Sequence, residues 1–221
     1  MSETPAAPAP TLAARAYDVV EAMIVTLKLP PGHVFSEAAL SRRIGIGRTP
    51  LREALQRLAA EGLVVALPRR GMMVTEIKLQ DIFALLETRR VLDRLVAGQA
   101  ARRATPEQRE ALTTCAALLR DTAARDDLDA FMRADHAGDD LLAAAARNPF
   151  AAQALAPLHT HSRRFWYQYR HEGDLGRSAD LHARLLDAVA AGDPDAAVAA
   201  SDALIDYLDA FARTVTFGVA P

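Results

Sequence analysis

Two short stretches of helical periodicity, Glu37 to Arg43 and Arg48 to about Ala60, stand only a few residues apart, and no other feature limits the fold so tightly. The Gly45-Ile46-Gly47 turn between them is too short to carry the chain across a domain, so the helices must be packed neighbours. Ser36 offers an oxygen to cap the first helix, whose apolar positions include Ala39, Leu40 and Ile44. Pro50 falls in the first turn of the second helix, where a missing N–H costs little, and Gly62 ends that helix. Ile46, apolar between two glycines, reads as the buried centre of the turn.

The flanks extend this unit. Leu12, Ala16, Val19, Val20, Met23, Ile24 and Leu27 recur at helical spacing, and Pro30-Pro31-Gly32 stops that helix. Leu63 to Leu67 and Met72 to Ile77 read as two short strands around Pro68-Arg69-Arg70-Gly71, a hairpin with a basic tip. Helix, helix, turn, helix, hairpin is the order of a winged helix. After Lys78 the pattern is helical: Asp81 to about Arg103, then 106–124, 128–146, 150–170, 178–191 and 195–215. Thr105-Pro106-Glu107-Gln108 is a capping box, and Asp193 after Gly192 caps the last helix. The fold class is therefore mostly α, with a winged helix-turn-helix over 11–77 and an all-α bundle over 78–217. The Pro/Ala-rich residues 1–10 read as a disordered tail.

Composition narrows the function classes. Half of the residues (51%) are apolar and 24% are charged, as in an ordinary globular chain, and the low aromatic content (5%) with abundant alanine favours helices. No apolar run approaches the roughly 18–20 residues of a membrane span, and the N-terminus lacks the pattern of a secretory signal. Cys115 stands alone and forms no internal disulfide, which points to the cytoplasm. The net charge of −2 hides an asymmetry: residues 1–77 hold nine Lys/Arg and seven Asp/Glu, so the small positive excess lies in the winged helix.

The helix from Arg48 carries the chemistry. Leu51, Ala54, Leu55, Leu58 and Ala59 form its apolar face, while Arg48, Thr49, Arg52 and Gln56 fall largely off it. Arg48 and Arg52 are one turn apart, at a helix N-terminus whose open N–H groups already favour phosphate. Two arginines and a hydroxyl there suit guanine edges and backbone phosphates in a major groove, and Arg69 and Arg70 suit a minor groove or its phosphates. The alternative is a solvated helix face; the short turn, the proline and the basic hairpin together favour DNA.

Residues of about 11–77 resemble the winged-helix domain of GntR-family regulators. The resemblance is carried by Pro31-Gly32, by Phe35-Ser36-Glu37 with Leu40, by Ile44 through Leu55, and by Leu58, Glu61-Gly62-Leu63-Val64, Pro68 and Arg69-Arg70-Gly71 with Val74. It implies DNA contacts from Arg48, Thr49 and Arg52, with Arg43 beside them, and from the wing at Arg69, Arg70 and Gly71. One departure is Gly47, where the family usually has Ser or Thr; the change weakens the cap by a few tenths of a kcal/mol and removes a hydroxyl.

The helical part resembles the FCD class of ligand-binding domains, through Asp81-Ile82, Glu87-Thr88-Arg89, Leu92-Asp93, Asn148-Pro149, His182 with Leu185-Leu186, Ala188 and Gly192-Asp193. Such domains are antiparallel bundles that dimerise and bind small carboxylates, often through a divalent metal held by Asp-x-x-x-His on one helix and two later histidines. Carried over, the first ligand is Asp135, the second falls on Asp139, the third is His182, and the last falls near Leu204, which binds no metal. Asp135, Asp139 and His182 are thus the candidate metal ligands, with His159, His161, Asp202 or Asp206 as sources of a fourth; His136 points elsewhere on a regular helix. The alternative is a pocket without metal in which the same three residues form hydrogen bonds or salt bridges. Arg89 matches a family arginine near the effector, suited to a carboxylate or else to a salt bridge with a neighbouring helix. The aromatic- and cation-rich run from His159 to Arg170 reads mainly as core and dimer packing, with its polar members as candidates to line the pocket, and Cys115 as a buried packing residue.

These features imply a ligand-responsive regulator, a repressor ahead of an activator, that binds a pseudo-palindromic operator as a homodimer and is controlled by a small organic acid. Two other classes are an enzyme acting on an organic acid with a metal, and a winged helix used for protein contacts. The first lacks a nucleophile–base pair, a His-Glu-x-x-His and a Gly-rich phosphate loop; the second has no need of arginines at both the helix start and the wing.

Overall fold

The computed structural model describes residues 11–218, and the chain divides between Ile77 and Lys78 into two compact units. The expected disordered tail, residues 1–10, lies outside the described residues.

The first unit contains α1 (Leu12–Val25), β1 (Val34–Phe35), α2 (Glu37–Ile44), α3 (Arg48–Ala60), β2 (Val64–Leu67) and β3 (Gly71–Val74). Ser36 Oγ accepts the Ala39 N–H at 3.1 Å, as its position before α2 predicts. Gly45 closes α2 in a left-handed conformation (φ 69°), and Gly47 starts α3 with no side-chain cap. The sheet is antiparallel in the order β1-β3-β2. β1 is a correction to the two-stranded hairpin read from the sequence. At two residues it is too short to show an alternation, and it exists because Val34 and Phe35 find β3 beside them. The core gathers Val20, Ile24, Leu29, Leu51, Leu55, Leu58, Leu63 and Val74, while Leu12 and Val19 of the α1 pattern stay exposed.

The second unit is a bundle of α4 (Asp81–Arg103), α5 (Pro106–Ala124), α6 (Leu128–Ala146), α7 (Pro149–Tyr169), α8 (Leu175–Ala191) and α9 (Pro194–Phe217), with a 3-10 turn at Arg170–Glu172. Five of these helices begin on a side-chain cap. At α5 the box is reciprocal: Thr105 Oγ1 accepts from Gln108 N at 3.2 Å, and Gln108 Oε1 accepts from Thr105 N at 3.0 Å. Asp127, Asn148, Asp174 and Asp193 serve α6, α7, α8 and α9. Asp174 explains why α8 starts before the position expected from its periodicity. α4 packs on α6, α7 and α9, and α5 on α6 and α8, so α4, α6, α7 and α8 can share an interior. No helix among the described residues is long and apolar enough to cross a membrane.

Candidate functional site

In the first unit, α3 presents its apolar side to the core and leaves Arg48, Thr49 and Arg52 exposed at its N-terminal end, with Arg43 exposed in the last turn of α2. Among the described residues, Arg43, Arg48, Arg69 and Arg70 have no carboxylate within ion-pair distance, so their charge faces solvent. Arg52 differs: its Nη2 donates to Glu37 Oε2 at 2.8 Å and its Nε to the same oxygen at 3.1 Å, across the turn from α3 to α2. Arg57 is also committed elsewhere, stacked 3.8 Å from the Tyr17 ring centroid and bonded to Glu61 at 3.0 Å. Tyr17 donates to Glu61 at 2.6 Å, so this trio ties α1 to the end of α3.

The wing is shaped by two backbone conformations. Arg69 is left-handed at φ 61° in a turn closed by Arg70 N donating to Leu67 O at 3.0 Å. A non-glycine residue with that backbone is strained by about 1 kcal/mol or more. Gly71 has φ 104°, and a Cβ there would run into the Phe35 carbonyl oxygen. Gly71 therefore acts first on the fold, letting β3 lie against β1.

In the second unit, Arg89 of α4, Phe131, Met132, Asp135 and Asp139 of α6, His159, Ser162, Arg163 and Trp166 of α7, Ser178 and His182 of α8 and Leu208 of α9 line a cavity of about 20 Å³. That is room for about one water. All four effector candidates read from the sequence, Arg89, Asp135, Asp139 and His182, meet there. Their partners are specific. His182 Nε2 lies 3.1 Å from Asp135 Oδ1, and its Nδ1 lies 2.8 Å from the Ser178 carbonyl, which makes Nδ1 the donor. Asp139 Oδ2 receives Arg163 Nη1 at 2.5 Å and faces His159 Nδ1 at 3.0 Å. His159 Nε2 reaches Asp93 Oδ1 at 2.7 Å, and Asp93 Oδ2 accepts Arg89 Nε at 3.0 Å. Arg89 also donates to Ser162 Oγ at 2.8 Å. The salt bridge of Arg89 is thus to its own helix, one turn away, rather than to a neighbouring one.

The result is a buried chain of alternating charge: Arg89, Asp93, His159, Asp139, Arg163. Burial works against each ionised group, but the neighbours outweigh it. His159 is pushed up to about 9 by Asp139 and Asp93 against its own desolvation. Desolvation likewise opposes ionisation of Asp139 and Asp93, yet His159 with Arg163 and Arg89 holds the first, and Arg89 with His159 the second, below the usual carboxylate range. The sequence reading missed Asp93 as a member of this site, and it offered Ser162 and Arg163 only as unassigned polar members of the His159–Arg170 run. The available signal was the spacing of Arg89 and Asp93, and of His159 and Arg163, each one turn apart on a helix.

Residues 12–74 match the family described as bacterial regulatory proteins, gntR family, and residues 84–207 match the FCD domain. The chain belongs to the GntR family, in its FCD branch. An uncharacterized HTH-type transcriptional regulator from the TAR-I ttuE-ttuC' intergenic region of Agrobacterium vitis is 32% identical over 138 residues, 59% of this chain and 78% of that protein. The probable D-xylose utilization operon transcriptional repressor of Paenarthrobacter nicotinovorans is 25% identical over 187 residues, 85% of this chain and 82% of that protein. The solved structure of McbR/YncC from E. coli superposes with a TM-score of 0.80 at 17% identity, over 93% of this chain and 99% of that one, and so shares the fold. This GntR-family chain is a transcriptional regulator with an FCD effector-binding domain, not an enzyme.

The divalent metal associated with FCD domains does not fit this member. Asp135 and His182 stay together, but one of the two Asp139 oxygens, Oδ2, is held by Arg163 and His159. Leu204 is buried and does not line the cavity; Leu208, one turn later, does. The proposed substitutes fall short as well. Asp202 lies near Arg90 and Arg94, Asp206 pairs with Arg90, and His161 does not line the cavity, while both nitrogens of His159 face carboxylates. Among the described residues no group of three or more His, Cys, Asp or Glu side chains is placed to hold a metal ion.

Proposed function

We propose that this regulator is a repressor that binds a pseudo-palindromic operator as a homodimer and is released or engaged by a small carboxylate metabolite. Residues 11–77 act on DNA and residues 78–217 bind effector and dimerise, in the cytoplasm. In the DNA-bound form Arg48, Thr49 and Arg52 read a major groove with Arg43 on phosphate, and Arg69 and Arg70 of the wing, positioned by Gly71, take the neighbouring groove or backbone. The observation that carries this reading is the exposed arginine set at the start of α3 and on the wing, within a chain whose net charge is negative. One winged helix offers few base contacts, and a two-fold dimer doubles them.

The effector is assigned to the cavity lined by Arg89, Asp135, Asp139 and His182. Two buried guanidinium groups, Arg89 and Arg163, favour a carboxylate. The cavity is far smaller than the roughly 300 Å³ and upward of ordinary ligand sites. An effector must therefore separate α6, α7 or α8 slightly as it enters, which is the differential contact that shifts a two-state equilibrium.

A DNA titration tests the regulator reading. The full chain is titrated with the DNA flanking its own coding region and with unrelated DNA of equal length, at about 50 and 200 mM salt. Tight, competitor-resistant binding that falls steeply with salt is the expected result. Failure to select any sequence from a random pool, with or without a panel of organic acids, would sink it.

A further inference from the structure

We infer that the Arg163 guanidinium holds, as part of the polypeptide, the place that a divalent cation takes in metal-holding FCD domains, so that this bundle forms its pocket without metal. The inference rests on the FCD assignment of the cavity and on neither the operator nor the identity of the effector.

The charges come first. In and beside the cavity wall Asp93 and Asp139 face Arg89, Arg163 and His159, while Asp135 faces His182. Two of these carboxylates, Asp93 and Asp139, already have arginine partners inside the protein. A guanidinium does not give up its proton, so Arg163 has no neutral form with which to make room for a second cation. A divalent ion beside it would meet like charge in a desolvated site, where repulsion is poorly screened.

The geometry points the same way. Metal ligation needs an oxygen or nitrogen lone pair directed at the ion at roughly 2.0–2.2 Å. Asp139 Oδ2 spends that capacity on Arg163 Nη1 and His159 Nδ1. Arg163 is itself fixed, with its Nη2 lying 3.0 Å from His136 Nδ1 and donating to Thr160 Oγ1 at 3.3 Å. His136, adjacent to Asp135 in sequence, thereby braces the guanidinium from outside the cavity.

What survives of the ligand set is Asp135 with His182, whose Nδ1–H is held by a backbone carbonyl as a ligating histidine's often is. Two protein ligands are fewer than the three or four that tight sites use. Leu204, buried where the resemblance places the last ligand, offers none. The loss of two metal ligands and the presence of a buried arginine among the remainder are thus a single compensated change: positive charge moved from an exchangeable ion to a side chain.

The test measures metal that depends on Asp135. The untagged full chain and its Asp135→Asn variant are stripped with EDTA, exposed to Zn²⁺ or Mn²⁺, desalted and assayed for metal per chain. The expected difference between the two proteins is close to zero, and the wild-type Tm is the same in EDTA as in either ion. A difference of about one ion per chain, or a wild-type Tm several degrees higher with metal that Asp135→Asn does not share, overturns the inference. The reverse experiment restores a ligand on the cavity wall and removes the cation, in the double variant Asp139→His, Arg163→Ala, which with Asp135 and His182 gives three ligands. Once circular dichroism shows that it is folded, it takes up about one Zn²⁺ per chain; a folded double variant that takes up none overturns the placement of Arg163.

Discussion

Arg52 and Glu37 are joined across the helix-turn-helix: two guanidinium N–H groups meet one carboxylate oxygen at 2.8 and 3.1 Å. The pair is exposed, so its value lies in aim rather than stability. Glu37 holds Arg52 in one rotamer family before DNA arrives, and its negative charge also opposes non-specific contact with phosphate.

Two variants separate these effects. Arg52→Ala weakens binding to the operator by about 1–3 kcal/mol if Arg52 reads a base. Glu37→Gln raises affinity for unrelated DNA while narrowing the ratio of specific to unrelated binding. Competition titrations measure both. An Arg52→Ala loss equal on all sequences would make Arg52 a phosphate contact.

The wing gives opposite signs for stability and binding at one position. Arg69 sits at φ 61°, where glycine is at ease. Arg69→Gly is expected to stabilise the winged helix by about 1 kcal/mol and to weaken DNA binding, reducing the salt slope by about 1. Thermal melts and a salt series on the same variant give the two readings. A variant neutral in both would remove Arg69 from the interface.

Gly71 is the converse case. Its φ of 104° and the Phe35 carbonyl beside it leave no room for a Cβ. Gly71→Ala costs about 1–3 kcal/mol, which lowers the melting point of a unit this size by several degrees. Unchanged melting would mean that β1 moves away from β3 without penalty.

Asp139 and Arg163 behave as a buried pair. Removing one partner strands the other, so Arg163→Met and Asp139→Leu each destabilise by about 3–5 kcal/mol. The double variant loses less than the sum, because neither member of the pair is left facing the gap of the other, and His159, which also faced Asp139, keeps Asp93. Denaturant unfolding of the four proteins supplies the cycle, and strict additivity would contradict the pairing.

His159 sets the alkaline limb of stability. Its folded value near 9 lies above the ordinary 6.5. Its contribution, on the order of 3 kcal/mol, is therefore complete below about pH 6.5 and drains away as pH rises through 9. Asp139 and Asp93 work at the other end: their depressed values give stability that is present above the usual carboxylate range and lost as pH falls through the folded values. Melting curves from pH 5 to 9.5 should show a steeper alkaline fall in the wild type than in His159→Gln; coincident limbs would rule His159 out as the titrating group.

The elements were legible because their signals are local. Ser36, Thr105 and Asp193 each act within three residues of where they stand, and the Gly45-Ile46-Gly47 turn constrains the two helices it joins. The same locality shows the limits of reading by pattern. β1 was invisible because two residues carry no periodicity. Leu12 and Val19 share the α1 pattern but remain exposed, because burial depends on what lies opposite.

By itself the sequence determined the winged helix, the six-helix bundle and the placing of the arginines proposed to read DNA, because caps, turns and apolar periods act within a few residues. It also brought Asp135, Asp139 and His182 to notice. Only the tertiary structure decided what they do there. His159 meets Asp93 from 66 positions away and Arg163 meets Asp139 from 24. Which buried carboxylate faces which cation is settled by how α4, α6, α7 and α8 pack, since an ionised group in a desolvated interior takes the partner that packing brings within reach.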